Sequence, residues 1–154
     1  MAKAKKEALE KTTEEPEKEK PSKKVEWFGA VGRRKRAVAR VRIWLEKNGK
    51  ITVNEKPAED YFKGQALKAN LKEPLNVVDR VGQLGVSVKV RGGGISSQLG
   101  ATVHGIANAL ITFDETLREP LAKKKLLTRD PREKERRKYG FAGKARARKQ
   151  SPKR

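Results

Sequence analysis

Apolar residues fill every second position of the hydrophobic and polar pattern along residues 37–45. Between them lie Val38, Arg40, Arg42 and Trp44, so this period of two predicts a half-buried strand with one basic face. An Asn-Gly dipeptide follows at 48–49, and this pair is the strongest short signal for a hairpin. The pattern therefore predicts that a return strand at 51–53 pairs with residues 37–45.

Two further segments show strand patterns. Valine fills every second position of residues 86–90, which predicts another half-buried strand. Residues 27–31 also predict a strand, with a bend or bulge near Gly29 and Gly32, because glycine within a strand often marks such an irregularity. Together these segments predict one small sheet.

Helical spacing is clearest in the second half of the chain. Large apolar residues recur at intervals of four, three, four and three: Leu99, Val103, Ile106, Leu110 and Phe113. This stripe predicts one long helix, and we expect Ser96 or Ser97 to cap its start. Asp114 is predicted to cap another helix, with Leu117 and Leu121 on its apolar side.

The middle of the chain gives shorter signals. Residues 57–62 predict a helical turn that a proline opens and Gly64 ends. Residues 65–72 predict a helix that Pro74 ends or kinks, and residues 75–81 fit a helix or a strand equally. The order of these elements predicts an α/β (α+β) domain of two layers, with helices on one face of the sheet.

Charge divides the chain into three parts. It carries 39 basic and 19 acidic residues, a net charge of +20. Residues 1–24 alternate Lys and Glu and are expected to form a disordered extension, whereas residues 25–122 hold the predicted globular domain. Residues 123–154 contain 15 basic and 3 acidic residues, so we expect an extended basic tail that a polyanion orders.

Composition narrows the classes of function. The chain has no Cys, which excludes disulfides and thiolate metal sites. No apolar run approaches the roughly 20 residues that cross a bilayer, and the N-terminus lacks a secretory signal, so we expect a cytoplasmic protein without a membrane partner. His104 is the single histidine, and we interpret it as a packed or solvent-facing helix residue, because one histidine without other ligands makes no ordinary metal site. No cofactor is expected, and no group of side chains indicates an enzyme.

A run of cations forms the first candidate site for nucleic acid. Its four members are Arg33, Arg34, Lys35 and Arg36. Like charges this close repel one another, and phosphates between them would relieve the repulsion. The alternative interpretation is a solvated outer face of the sheet.

A glycine turn forms the second candidate site. Gly92, Gly93 and Gly94 would let the backbone approach a phosphate, and the helix start that follows favours an anion. Because Arg91 and Ser96 flank the turn, an RNA phosphate is the predicted ligand. A tight turn without a ligand would explain the glycines as well.

The tail supplies a third group of cations. Its candidate phosphate ligands are Arg129, Arg132, Arg136, Arg137, Lys138, Lys144, Arg146 and Arg148. Arg outnumbers Lys from position 129 onward, and the guanidinium fork fits a phosphate better than an ammonium group does. These residues predict binding to the RNA backbone.

The motifs in their order resemble a known family. They lie at residues 32–35, 89–96, 104–106, 114–118, 128–132, 135–138 and 153–154. Over residues 27–154 the chain resembles ribosomal protein nine of the small subunit, in its bacterial form. The resemblance implies a two-layer sandwich with a mixed sheet, helices on one face and a left-handed crossover, plus the long basic tail.

The resemblance also implies partners. The globular part would bind ribosomal RNA in the head of the small subunit, beside neighbouring ribosomal proteins. The tail would reach the anticodon stem-loop of the peptidyl-site tRNA, with Lys153 and Arg154 as the implied tRNA contacts. Bacterial members usually have an aromatic residue and a serine before these cations, where this chain has Ser151 and Pro152. An RNA-processing enzyme and a general nucleic-acid condensing protein are the alternatives.

Overall fold

The computed structural model describes residues 26–141 and 145–146. Strands lie at Phe28–Arg34 (β1), Ala37–Leu45 (β2), Ile51–Val53 (β3), Lys56–Pro57 (β4) and Leu84–Arg91 (β5). Helices lie at Ala58–Tyr61 (α1), Gln65–Val77 (α2), Ile95–Phe113 (α3) and Arg118–Lys123 (α4), and a 3₁₀ turn at Glu115–Leu117 precedes α4.

The strands form one mixed sheet in the order β1-β2-β5-β3-β4, in which β3 and β5 run parallel. The predicted hairpin at 48–49 is wrong, because β5 lies between β2 and β3. β5 pairs along β2 from Val38 to Leu45, whereas β3 has only three residues to offer. The Asn-Gly turn instead packs on the start of β5, where the Gly49 N–H donates to the Gly82 carbonyl at 3.0 Å.

Two other tight turns make the hairpins of the sheet. Lys35 and Arg36 join β1 to β2, and Lys35 has a φ of +50°. Asn54 and Glu55 join β3 to β4 with φ values of +47° and +68°, which lie in the left-handed region that two-residue hairpin turns use. Neither turn contains the Asn-Gly signal, so the sequence pattern pointed to the wrong turn.

The core lies on one face of the sheet. Every second residue of β2 from Ala37 to Ile43 is buried, as are the alternating valines of β5. The predicted alternation in β5 is therefore confirmed, and that in β2 is confirmed as far as Ile43, because Leu45 at its end is exposed. α3 packs across β1 and β2, and α2 packs against α3, so the helices cover this face.

Two facing glycines let α3 approach β1 closely. A Cβ on Gly32 would collide with the Ala101 carbonyl, and one on Gly105 would lie 2.6 Å from Val41 Cγ2. β1 pairs with β2 in continuous register from Phe28 to Arg34, so the predicted bulge near Gly29 and Gly32 is wrong. Gly32 serves close packing instead, because any side chain there would push the helix away.

The helix ends differ from two predictions. α2 continues through Pro74 to Val77, so the predicted end at the proline is wrong, and the alternative of a kink there stays a prediction. Pro74 is buried with Leu71 and Leu75, and this apolar burial offsets the hydrogen bond that proline cannot make. α3 begins after Gly94 without a side-chain cap, so neither serine caps it.

The predicted cap at Asp114 is confirmed. Its carboxylate accepts a hydrogen bond from the Thr116 N–H at 3.0 Å, at the start of the 3₁₀ turn. Leu121 then completes the core from α4. The polar cap and the apolar anchor together fix the last helical segment before the basic residues begin.

The elements confirm a two-layer α+β fold with a mixed sheet and helices on one face. A crossover through α1 and α2 joins the parallel strands β3 and β5, and its left-handed sense stays a prediction. After α4, residues 124–141 form neither helix nor strand. In the part of the chain that the structure describes, no helix is long and apolar enough to cross a membrane.

Candidate nucleic-acid interface

The β1–β2 hairpin turn lies against the glycine turn that precedes α3. Gly92 and Gly93 have φ values of +77° and +66°, which glycine adopts far more readily than other residues. A Cβ on Gly92 would lie 2.5 Å from the Arg36 carbonyl oxygen, and one on Gly93 would lie 3.3 Å from the Ala37 Cβ. The turn geometry and the close approach therefore explain both glycines before any ligand is considered.

The start of the tail crosses this same corner. Arg36 Nε donates to Glu133 Oε1 at 2.6 Å, and Arg34 Nη2 lies 3.9 Å from Asp130 Oδ2. Exposed ion pairs of this kind contribute little stability each. They nevertheless direct the tail along the hairpin that contains the predicted run of cations.

His104 joins β1 to the tail, a role that sequence reasoning missed. Its Nε2 lies 3.1 Å from the Leu127 carbonyl oxygen, so Nε2–H donates there. Its Nδ1 accepts from the Arg33 backbone N–H at 3.3 Å. These two bonds require the neutral ring with its proton on Nε2. The sequence predicts that His104 lies on the long helix beside Gly105, but no local pattern signals its contact with Leu127.

Cations from the hairpin and the tail share one groove at the start of α3. We call it the hairpin–tail groove, and its lining is Lys35, Arg36, Gly93, Gly94, Ser97 and residues 133–137. Its cations are all exposed: Lys35, Arg36, Lys134, Arg136 and Arg137. Among the residues that the structure describes, no ion pair involves Lys35, Arg136 or Arg137. These three cations are therefore available to an anion.

Other predicted site residues lie elsewhere. A neighbouring depression beside His104 is lined in part by Arg33, Arg34, Ser96 and Arg129. Arg91 ends β5, and Lys138 is exposed in the tail. Four predicted ligands lie outside the described residues: Lys144, Arg148, Lys153 and Arg154.

Two tail arginines are engaged by carboxylates. Arg132 Nε and Nη2 donate to the two oxygens of Asp130 at 2.9 and 2.8 Å. Arg146 Nε donates to Glu135 Oε2 at 2.9 Å, which folds the chain back on itself. Both arginines were predicted as phosphate ligands, and a phosphate there would have to share or replace the carboxylate.

These contacts shift the pKa values of the tail carboxyls. Hydrogen bonds from Arg132 hold the pKa of Asp130 well below its usual range, and the Arg146 guanidinium lowers the pKa of Glu135. The same contacts raise the pKa values of Arg132 and Arg146. All four groups are therefore charged at neutral pH, so the carboxylates orient the arginines while the cations remain in excess.

The motif order and the tail both point to a ribosomal protein, and a comparison with known families decides the question. A family model described as ribosomal protein S9/S16 matches residues 32–154. The chain belongs to the ribosomal protein S9/S16 family. The match starts at Gly32 and includes the whole basic tail, so both parts of the interface lie within the family region. The resemblance found in the motifs is thereby confirmed at the level of the family.

Membership of the ribosomal protein S9/S16 family establishes the general function. The protein is a structural constituent of the ribosome that binds ribosomal RNA during translation, and it is not an enzyme. Its partners are ribosomal RNA and other ribosomal proteins, and it is ribosome-bound in the cytoplasm. The alternatives of an RNA-processing enzyme and of a general condensing protein are excluded by this membership.

Proposed function

We propose that this chain is a small-subunit protein that docks on ribosomal RNA of the head through the hairpin–tail groove. We further propose that its C-terminal end contacts the anticodon stem-loop of the peptidyl-site tRNA. One observation supports the docking surface above all others. The Arg36–Glu133 pair joins residues 97 positions apart, and so brings the cations of the hairpin and of the tail to one place.

The groove suits a phosphate backbone. Arg136 and Arg137 offer planar guanidinium groups that can form two parallel hydrogen bonds to one phosphate, while Lys35 offers a compact charge. The groove also includes Gly94, at the N-terminus of the 19-residue helix α3, where the helix dipole favours an anion. Contacts of this kind position RNA without identifying its bases.

The carboxylates of the tail support this interpretation. Glu133 and Asp130 pair with Arg36 and Arg34 of the hairpin, and among the described residues no ion pair involves Lys35, Arg136 or Arg137. The tail is thus placed on the globular part before RNA is bound. Because part of its geometry is set in advance, less conformational entropy is lost on docking.

The tRNA contact rests on the end of the tail. Lys153 and Arg154 lie 25 and 26 positions beyond Thr128, and each extended residue spans at most about 3.3–3.6 Å. The tail therefore has enough length to reach tens of ångströms beyond the globular part. Since phosphate contacts read no sequence, two terminal cations suffice for every tRNA that enters the site.

A truncation tests the tRNA contact. We expect deletion of residues 152–154 to leave cosedimentation with small subunits intact after a high-salt wash, yet to weaken peptidyl-site tRNA binding several-fold. The matched control is Lys47→Gln with Lys63→Gln, which also removes two positive charges but lies outside the tail. Equal tRNA affinity for truncated, control and intact subunits across several salt concentrations would refute the contact. Cosedimentation with large subunits alone would refute the small-subunit assignment.

A further inference from the structure

The face of the sheet turned away from the helices has its own basic surface. β2 contributes Arg40 and Arg42, and β5 contributes Lys89 and Arg91, all of them exposed. We call these four residues the open-face cluster. Along β2 and β5 the residues next to these cations are buried in the core under the helices. Because successive side chains of a strand point to opposite faces, the cluster lies on the side of the sheet opposite α3.

The register places like charges directly opposite each other. Arg40 pairs with Lys89 across β2 and β5, and such a like-charge pair destabilises a sheet. The cross-strand partners of Arg42 and Arg91 are Ser87 and Val38, which carry no charge. Among residues 26–141 and 145–146, no ion pair involves any member of the cluster. No acidic side chain of the described residues therefore pairs with these cations to offset their repulsion.

An indole ring lies over one of these cations. The Arg42 guanidinium carbon lies 4.6 Å from the centre of the Trp27 ring, in a cation–π contact. The same ring covers Gly29, where a Cβ would approach Trp27 Cζ3 to 2.8 Å. Stacking on the ring face restrains the guanidinium but leaves its in-plane N–H groups able to donate to a phosphate.

We propose that the open-face cluster is a second RNA-binding surface, which takes the phosphate backbone of ribosomal RNA on the side of the sheet away from the hairpin–tail groove. The inference rests on the proposed function, because its ligand is the same ribosomal RNA. Charge complementarity supports it: four cations without an ion pair among the described residues line a face that no helix of the described chain covers. RNA would then contact the globular part from both sides of its sheet.

Three variants of the full-length protein test the proposal. The open-face variant combines Arg40→Gln, Arg42→Gln and Lys89→Gln. The groove variant combines Lys35→Gln, Arg136→Gln and Arg137→Gln. The control variant combines Lys47→Gln, Lys56→Gln and Lys63→Gln, so that each loses three positive charges. A cooperative unfolding transition by circular dichroism, with a midpoint no lower than that of the intact protein, establishes that each variant retains the fold.

The first measurement is the affinity for purified ribosomal RNA at several salt concentrations. Each lost phosphate contact reduces the slope of log K against log salt by roughly 0.7 to 0.9. We expect the slope of the open-face variant to be smaller in magnitude than that of the control by roughly 2 to 3. A slope equal to that of the control would overturn the inference. If the groove variant alone has the same slope as the control, the proposed role of the groove is wrong and the second surface is supported.

The second measurement is the rate of acylation of lysine amines in the intact protein. Bound ribosomal RNA should slow the modification of Lys89 several-fold and leave Lys63 unchanged. Equal reactivity of Lys89 with and without RNA would contradict the proposal. Protection of Lys89 by polyglutamate but not by ribosomal RNA would also overturn it, in favour of an acidic protein partner.

Discussion

At the scale of single residues, the arginines of this protein fall into two groups. Arg34, Arg36, Arg132 and Arg146 are engaged by carboxylates of the tail, whereas Arg136 and others have no such partner among the described residues. The carboxylates thus select which cations organise the chain and which are presented to an anion. A count of charges alone treats all of these residues as equivalent.

We predict that Asp130 titrates well below its ordinary pKa of about 3.9, because hydrogen bonds from Arg132 favour the ionised carboxylate. A lowered folded-state pKa adds stability that is complete above the unfolded pKa and is lost as pH falls through the folded value. The local contact should therefore be constant between about pH 5 and 8. Carbon NMR of the carboxyl group measures the midpoint.

Arg132→Gln is the control for this titration. Without the guanidinium, the pKa of Asp130 should return toward its ordinary value, so the midpoint of its titration should lie at a higher pH than in the intact protein. If both proteins give the same midpoint near the ordinary value, the Asp130–Arg132 contact does not form in solution.

At the scale of elements, close packing of α3 on β1 positions both parts of the interface. Gly32 and Gly105 let the helix backbone approach the strand, and His104, next to Gly105, then reaches the Arg33 N–H. The helix start and the hairpin turn are brought together by the same approach. The interface is therefore a consequence of how one helix lies on one strand.

We predict that Gly105→Ala destabilises the protein by about 1–3 kcal/mol, because the new Cβ would press on Val41 and on the backbone of Gly32. This loss should exceed the gain of up to about 1 kcal/mol in helix propensity. Gly100→Ala in the same helix is the matched control, since the three atoms nearest to its Cβ all belong to the movable Arg34 side chain rather than to backbone. Urea unfolding should show the control to be neutral or stabilised. Equal midpoints for the two variants would contradict the close approach.

At the scale of the whole molecule, the globular part and the tail differ in their backbone hydrogen bonds. The sheet and the helices have many, whereas the described part of the tail has few. Between described residues, no backbone N–H of residues 127–138 donates to a backbone carbonyl. The tail is held instead by side chains, namely His104 and the exposed ion pairs. Such a tail can follow the surface of RNA while the globular part keeps its shape.

We predict that amide exchange separates these two parts. In the free protein, β2, β5 and α3 should be strongly protected, whereas residues 131–138 should exchange rapidly because their amides lack backbone partners. Addition of ribosomal RNA should slow exchange in the tail. Strong protection of residues 131–138 without RNA would contradict the prediction. A mixture of the free protein with a non-ionic polymer in place of RNA serves as the control for crowding.

The sequence by itself determined the local features of this protein. The alternation in β2 and β5, the apolar stripe of α3 and the cap at Asp114 all follow from spacing along the chain, and the motif order identified the family. The runs of cations in the hairpin and the tail were also evident from the sequence. Each of these signals depends on residues that are neighbours in the chain.

Only the tertiary structure decided which distant segments meet. β5 enters between β2 and β3, because its long ladder with β2 outweighs the local hairpin signal at 48–49. The contacts of His104 with Leu127 and of Arg36 with Glu133, and the pairing of Arg40 with Lys89, join residues that no local period connects. Such contacts depend on packing of the whole core, since the energy that selects them is the burial of apolar faces far apart in the sequence.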